Sequence, residues 1–154
     1  MSTPTDALAR LGITLPAPAA PVASYVGYVV VGKLVYVSGQ VPLVDGKIAV
    51  SGLLGRDVSV EQGMEAARIC AINLLAQAQA AAGGSLEGIG RVVRLGGFVA
   101  STPDFTDHPK VVNGASDLMK EVFGEAGAHA RAAVGVAALP LNSAVEVEGL
   151  FELA

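Results

Sequence analysis

A long segment near the end of the chain carries no charge, and it limits the fold more than any other feature. The uncharged segment runs from Ala132 to Val145, and its part Ala132–Leu139 has no polar face on either parity of a strand. A strand with one solvated face carries polar side chains at every second position. We therefore expect Ala132–Leu139 to form a strand that is covered on both sides.

The segment that follows has a different pattern, in which polar and apolar side chains alternate. On one parity lie Val145, Val147, Phe151 and Leu153, and on the other lie Glu146, Glu148 and Glu152. A period of two residues is typical of a strand with one buried face. The chain is thus expected to end in a strand that is buried on one side.

Turn residues and apolar periodicity predict the remaining elements. They are strands over Ser24–Val31 and Lys33–Ser38 that turn at Gly32-Lys33, a short strand near Lys47–Val50, a helix from Ser59 to Gly83-Gly84 with Gln62 as capping-box partner, a strand over Arg91–Val99, and a helix from Pro109 to Gly124 or Gly127. Gly96-Gly97 predicts a bulge or a close backbone approach. Residues 1–21, rich in Pro and Ala, are expected to form an irregular N-terminal arm. The order β-β-(β)-α-β-α-β-β indicates an α/β (α+β) fold.

The length of 154 residues fits one domain spanning residues 1–154. Hydrophobic residues make up 52% and charged residues 16%, with a mean hydropathy of +0.55. This apolar content exceeds what a monomer of this size normally buries. Helices on one face of the sheet would leave the other face in need of a partner, so we expect an oligomer.

Several classes of function are disfavoured by the sequence. The longest apolar runs are shorter than a spanning helix requires, and the start lacks the features of a secretory signal, so a cytoplasmic protein without membrane contact is expected. The single cysteine, Cys70, and the two histidines, His108 and His129, predict neither a disulfide nor a metal site. A net charge of −4 and scattered basic residues argue against nucleic-acid binding.

Arg131 is the strongest candidate for a functional residue. It stands directly before the uncharged segment. A guanidinium beside an uncharged surface suits a small carboxylate, because its planar group can donate two parallel hydrogen bonds to that anion. The alternative is a structural ion pair at a subunit boundary.

An ordered set of segments resembles the RidA/YjgF reactive-intermediate deaminase family, also called L-PSP endoribonucleases. The segments are Tyr25, Val35-Tyr36-Val37-Ser38-Gly39-Gln40-Val41-Pro42, Arg91-Val92-Val93 with Phe98-Val99, Ala130-Arg131 with Leu139-Pro140, and Val145-Glu146-Val147-Glu148. The resemblance covers about Tyr25 to Leu153. It implies a chorismate-mutase-like fold, with a mixed sheet and two helices packed on one face. It also implies a homotrimer with ligand clefts between subunits.

The resemblance implies an activity that uses no cofactor and no metal. Family members hydrolyse reactive 2-imino or enamine acids to 2-oxo acids and ammonia, so a small metabolite with a carboxylate is the expected ligand. Arg131 resembles the arginine that holds this carboxylate, and Glu146 resembles the acid that orients or deprotonates the attacking water. The residues that resemble others of the cleft are Tyr25, Ser38, Gly39 and Asn113, the last with a one-residue gap.

Alternatives remain open at several of these positions. Glu146 shares its parity with Glu148 and Glu152 and is equally well explained as part of a solvated strand face. His129, close to Arg131, is a candidate substrate-binding residue that would act as an acid or hydrogen-bond donor.

The chain also departs from the family pattern. Ala132, Ala133 and Gly135 stand where the family often has hydroxyl, thiol and glutamate side chains. This loss of side-chain donors favours a second hypothesis, a non-catalytic trimer that binds a small carboxylate as a metabolite sensor. A third, weaker hypothesis is an endoribonuclease or translation inhibitor.

Overall fold

Residues 2–21 and 23–154 are described by the computed structural model of the chain. Their α-helices are Pro4–Arg10 (α1), Val60–Ala81 (α2) and His108–Phe123 (α3). Their strands are Tyr28–Val31 (β1), Leu34–Gln40 (β2), Leu43–Val44 (β3), Lys47–Ile48 (β4), Ile89–Ala100 (β5), Ala130–Val136 (β6) and Val145–Leu153 (β7). From β1 onward the predicted element order is confirmed, with a two-strand hairpin, β3 and β4, in place of the short third strand.

The strands form a mixed sheet in the order β1-β2-β7-β5-β6. Strands β5 and β6 run parallel, and the other neighbouring pairs run antiparallel. In the first hairpin, Val31 pairs with Leu34, so Gly32-Lys33 is the two-residue loop that the sequence predicted. Gly32 has a φ of 61°, a conformation that glycine adopts without steric cost.

Helices α2 and α3 pack on one face of the sheet, as predicted. The fully buried side chains of this face include Val35, Leu95, Val147 and Phe151. The predicted start of α2 is confirmed by a capping box, in which Gln62 N–H donates to Ser59 Oγ and Ser59 N–H donates to Gln62 Oε1.

Gly97 allows helix α3 to approach the sheet closely. A Cβ atom at Gly97 would lie 2.5 Å from Val112 Cγ2, so a side chain has no room there. The register shifts of β5 lie nearer its start, between Ile89 and Arg94. Of the two predicted explanations for Gly96-Gly97, close backbone approach is therefore correct and a bulge at the glycines is wrong.

The prediction of an irregular arm over residues 1–21 is wrong for Pro4–Arg10, which forms α1. Thr3 caps this helix through a capping box with Asp6, and Ala7 and Leu8 are buried. The Thr5 hydroxyl also donates to Glu87 Oε2 at 2.9 Å. A segment rich in Pro and Ala suggests irregular structure, but Pro at the first helical position favours a helix start.

The prediction that Ala132–Leu139 is covered on both sides is wrong within the chain. Strand β6 lies at the edge of the sheet, and Val134 is 47% exposed. Val29 and Tyr36 on the same open face are 48% and 50% exposed. The sheet thus presents an uncovered face opposite the helices, on which these exposed apolar side chains share the surface with Glu146 and Glu148. In the described part of the chain, no helix is long and apolar enough to cross a membrane.

Gly97→Ala tests the close contact between β5 and α3. Overpacking of this kind costs about 1 to 3 kcal/mol, so chemical denaturation should give a lower unfolding midpoint. Val112→Ala removes the colliding methyl groups, and the double variant should therefore lose less stability than the two single variants together. Additive losses would contradict the contact.

Candidate functional site

The predicted site residues lie in two groups on different parts of the sheet. Tyr25, Ser38, Gly39 and Glu146 surround a cavity and its adjoining groove near the β2 and β7 strands. Asn113, His129 and Arg131 form a hydrogen-bonded cluster between α3 and β6. The side chains of the two groups do not meet within one chain.

The cavity beside Glu146 has a volume of about 110 Å³. Tyr25, Gly39 and Glu146 line it, together with apolar side chains such as Leu43 and Leu141. Tyr25 is 48% exposed. A lining of apolar side chains with a few polar groups is typical of a small-molecule site.

The lack of a side chain at Gly39 leaves space for the Glu146 carboxylate. A Cβ atom at Gly39 would collide with Glu146 Oε1. Burial raises the pKa of Glu146 above its ordinary value, and the carboxylate of Glu148 raises this pKa further. Glu146 is only partly buried, so a fully solvated strand face does not describe it.

Two amide side chains of α2 hold the walls of the cavity, and the sequence analysis missed both. Asn73 Nδ2 donates to the carbonyl oxygens of Val41 and Leu43, at 3.1 Å each, and Gln77 Nε2 donates to Ala19 O at 2.9 Å. Both amides are buried. Two amide residues four positions apart in the uncharged second half of α2 were the available signal, since such residues share a helix face.

Arg131 is bound by neutral oxygens of α3. Its Nη1 donates to Asn113 Oδ1 at 2.8 Å and to Ser116 Oγ at 3.1 Å, and its Nη2 donates to Pro109 O at 3.2 Å. Among the described residues, the ion pairs join other side chains. The guanidinium charge is therefore solvated by the protein without being neutralised inside the described chain.

His129 lies directly beside this arginine cluster. Its Nδ1 is 2.6 Å from Gly127 O, and its Nε2 is 2.9 Å from Ser116 Oγ. Burial lowers the pKa of His129, and the Arg131 and Lys120 cations lower this pKa further, against the Gly127 carbonyl, which raises it. Both ring nitrogens have partners within the chain, so the ring is not free to donate to a ligand as the sequence analysis proposed.

Arg131 and Glu146 lie on opposite faces of the sheet. Arg131 pairs with buried Leu95 and faces α3, whereas Glu146 alternates with buried Val145 and Val147 and faces away from the helices. Strand β5 separates their strands by about 10 Å. A ligand that touches both side chains cannot do so within one copy of the chain.

Comparisons with known proteins agree with this fold. The family model described as "YjgF/chorismate_mutase-like, putative endoribonuclease" matches residues 6–153. Protein TCP17 of Trypanosoma cruzi is 52% identical over 147 residues, which cover 95% of this chain and 91% of that protein.

Two solved structures are also similar to the chain. Atu1372 of Agrobacterium tumefaciens, described as having unknown function, is 52% identical, with a TM-score of 0.90 over 96% of this chain and 91% of that chain. A Shewanella oneidensis protein described as "a putative endoribonuclease" is 39% identical, with a TM-score of 0.95 over 99% of this chain and 100% of that one.

Glu148→Gln tests the electrostatic environment of Glu146. Removing the neighbouring negative charge should lower the pKa of Glu146, so its carboxyl should titrate at lower pH than in the wild type. Carbon-detected NMR titration of the glutamate carboxyls measures this change. Glu152→Gln, on the same parity but farther along β7, is the matched control and should leave the titration unchanged. An unchanged midpoint in Glu148→Gln would contradict the proposed coupling.

Proposed function

The chain belongs to the YjgF/chorismate-mutase-like family, and from this premise we propose that it hydrolyses reactive 2-imino or enamine acids to 2-oxo acids and ammonia. The observation that carries the proposal is the Arg131 guanidinium, which is held in place by neutral oxygens and keeps its charge for an anion. The resemblance assigns the substrate carboxylate to this arginine.

The hydrogen bonds of Arg131 leave donors for such a carboxylate. Both Nη1 hydrogens and one Nη2 hydrogen are used by the oxygens of α3. Within the described residues, Nε–H and the second Nη2 hydrogen remain for a ligand. Two donors on one planar group suit the two oxygens of a carboxylate.

Glu146 is the proposed base. A 2-imino acid has an electrophilic carbon next to its carboxylate, so a bound carboxylate fixes the position of that carbon. Water adds to the carbon while Glu146 accepts one of its protons, and the imine nitrogen takes up a proton from solvent to give a carbinolamine. Glu146 then returns its proton to the nitrogen, the C–N bond breaks as the hydroxyl loses its proton to solvent and becomes the 2-oxo group, and ammonia leaves. The raised pKa of Glu146 supports this role, because a carboxylate whose pKa lies closer to neutral pH is a better general base.

The separation of Arg131 and Glu146 supports a site assembled from two copies of the chain. Each copy would contribute Arg131 to one cleft and Glu146 to another, and the trimer implied by the resemblance would contain three such clefts. The exposed apolar side chains of Val29, Tyr36 and Val134 on the uncovered face of the sheet supply a surface for this association.

A second candidate function is carboxylate binding without turnover. Ala133 and Gly135 lie on the same face of β6 as Arg131 and offer no side-chain donors or bases. This favours a sensor in which Arg131 binds a small 2-oxo or amino acid. The two candidates differ in one measurable property, the rate of ammonia release.

Arg131→Lys and Glu146→Gln test the hydrolase. In an assay that generates 2-imino acids with an amino-acid oxidase and traps the remainder with semicarbazide, the wild type should speed imine loss. Arg131→Lys should lower kcat/KM at least about tenfold, because a point charge cannot reproduce the bidentate fork. Glu146→Gln should lower it about 10² to 10⁴-fold.

Arg91→Lys and Glu152→Gln are the matched controls and should retain wild-type rates. A wild type that binds pyruvate without accelerating imine loss would overturn the hydrolase in favour of the sensor. Cleavage of single-stranded RNA that depends on Arg131 and Glu146 would instead favour the ribonuclease.

Mixed oligomers test whether two copies share the site. Arg131→Ala and Glu146→Ala subunits, each inactive alone, are unfolded together and refolded as a mixture. If each cleft takes its two residues from different copies, random trimers should recover about a quarter of the wild-type activity. A mixture no more active than its parents, with trimers confirmed by light scattering, would place the site within one copy.

A further inference from the structure

We propose that His129 and Ser116 are positioning residues for Arg131, because the imidazole turns the Ser116 hydroxyl so that its oxygen accepts a hydrogen bond from the guanidinium. The inference deepens the proposed function and rests on its assignment of the substrate carboxylate to Arg131. It replaces the role that the sequence analysis gave to His129, direct contact with the ligand.

The direction of each hydrogen bond in this cluster follows from the groups at the two ends of the cluster, the Gly127 carbonyl and the Arg131 guanidinium. The Gly127 carbonyl can only accept, so His129 carries its proton on Nδ1, 2.6 Å from that oxygen. The other nitrogen, Nε2, is then an acceptor in the neutral ring, and Ser116 donates to it across 2.9 Å. A guanidinium can only donate, so Arg131 Nη1 donates to the free side of Ser116 Oγ at 3.1 Å.

The fold places these groups with little freedom. Ser116 follows Asn113 by one helical turn on α3, so both side chains reach the same strand. His129 lies one residue before β6 and two residues before Arg131, and both side chains reach Ser116. Gly127 ends a 3₁₀ helix so close to α3 that a Cβ atom there would collide with Met119 O.

His129 is needed as an acceptor because the hydroxyl of a serine within a helix can donate to a different group. Such a hydroxyl commonly donates to the carbonyl four residues earlier, which here belongs to Val112. The acceptor on His129 competes with that carbonyl and fixes the orientation that suits Arg131. The Lys120 and Arg131 cations near the ring oppose its protonation and so favour the acceptor form.

Arg131 therefore gains a second neutral partner on Nη1 beside Asn113. With both Nη1 hydrogens held, rotation of the guanidinium plane would break two bonds at once. The two donors left for the ligand are thus fixed before the ligand arrives, which reduces the entropy lost on binding.

Ser116→Ala, His129→Phe and His129→Gln test the inference through pyruvate affinity measured by calorimetry. The first two variants should weaken binding about tenfold, the usual effect of losing a hydrogen bond to a charged group. His129→Gln keeps an acceptor near the position of Nε2 and should recover most of the affinity. In an Arg131→Gln background, none of the three should change the remaining affinity.

A merely structural role gives a different result. The variants would then lower the melting temperature equally in both backgrounds, and their effects on affinity would be the same with and without Arg131. Either outcome overturns the inference. His129→Gln binding as weakly as His129→Phe also counts against it.

Nitrogen NMR of the His129 ring decides the inference even if the wild type neither binds pyruvate nor hydrolyses imines. That failure would remove the proposed function alone. The expected spectrum has the proton on Nδ1, and Arg131→Gln should raise the pKa of His129 by removing a neighbouring cation. A proton on Nε2, or a pKa that does not respond to Arg131→Gln, overturns the inference.

Discussion

The sheet is the constraint on which the rest of the molecule depends, because it separates the two charged side chains that a hydrolytic site would need together. Arg131 faces the helices from the edge strand, and Glu146 faces the opposite side from β7. No side-chain rotation can bring them together across β5. Chemistry that needs both charges therefore needs two copies of the chain, so such an activity would depend on assembly.

The two half-sites are built on different physical principles. Around Arg131, neutral oxygens hold the guanidinium by geometry and leave its charge available. Around Glu146, partial burial and a second carboxylate disfavour the charged form. The first arrangement suits the binding of an anion, and the second suits the transfer of a proton.

Local patterns in the sequence predicted most of the fold. The capping box of Ser59 and Gln62, the hairpin loop at Gly32-Lys33 and the alternation along β7 each depend on residues close in sequence, and each was confirmed. The edge position of β6 was not predictable in this way. A strand without polar residues looks buried, and only the order of the strands reveals that one of its edges has no neighbouring strand.

The sequence named the members of the candidate site without indicating their arrangement. Family resemblance picked out Arg131, Asn113 and Glu146, and the contact of Arg131 with Asn113 agrees with that choice. The part played by Ser116 and the separation of Arg131 from Glu146 depend on contacts between elements distant in the chain. Side-chain parity on β6 and β7 could have indicated the separation, had the strand neighbours been known.

The absence of a side chain at Gly97 affects more than the packing of α3 on the sheet. Gly97 pairs with Ala133, two residues after Arg131, and Val112 of α3 sits directly over it. The position of α3 relative to the sheet sets the distance between the Arg131 guanidinium and the oxygens of Pro109, Asn113 and Ser116. A change beneath the helix would therefore move the oxygens that orient the guanidinium, although it alters none of the residues proposed to bind a ligand.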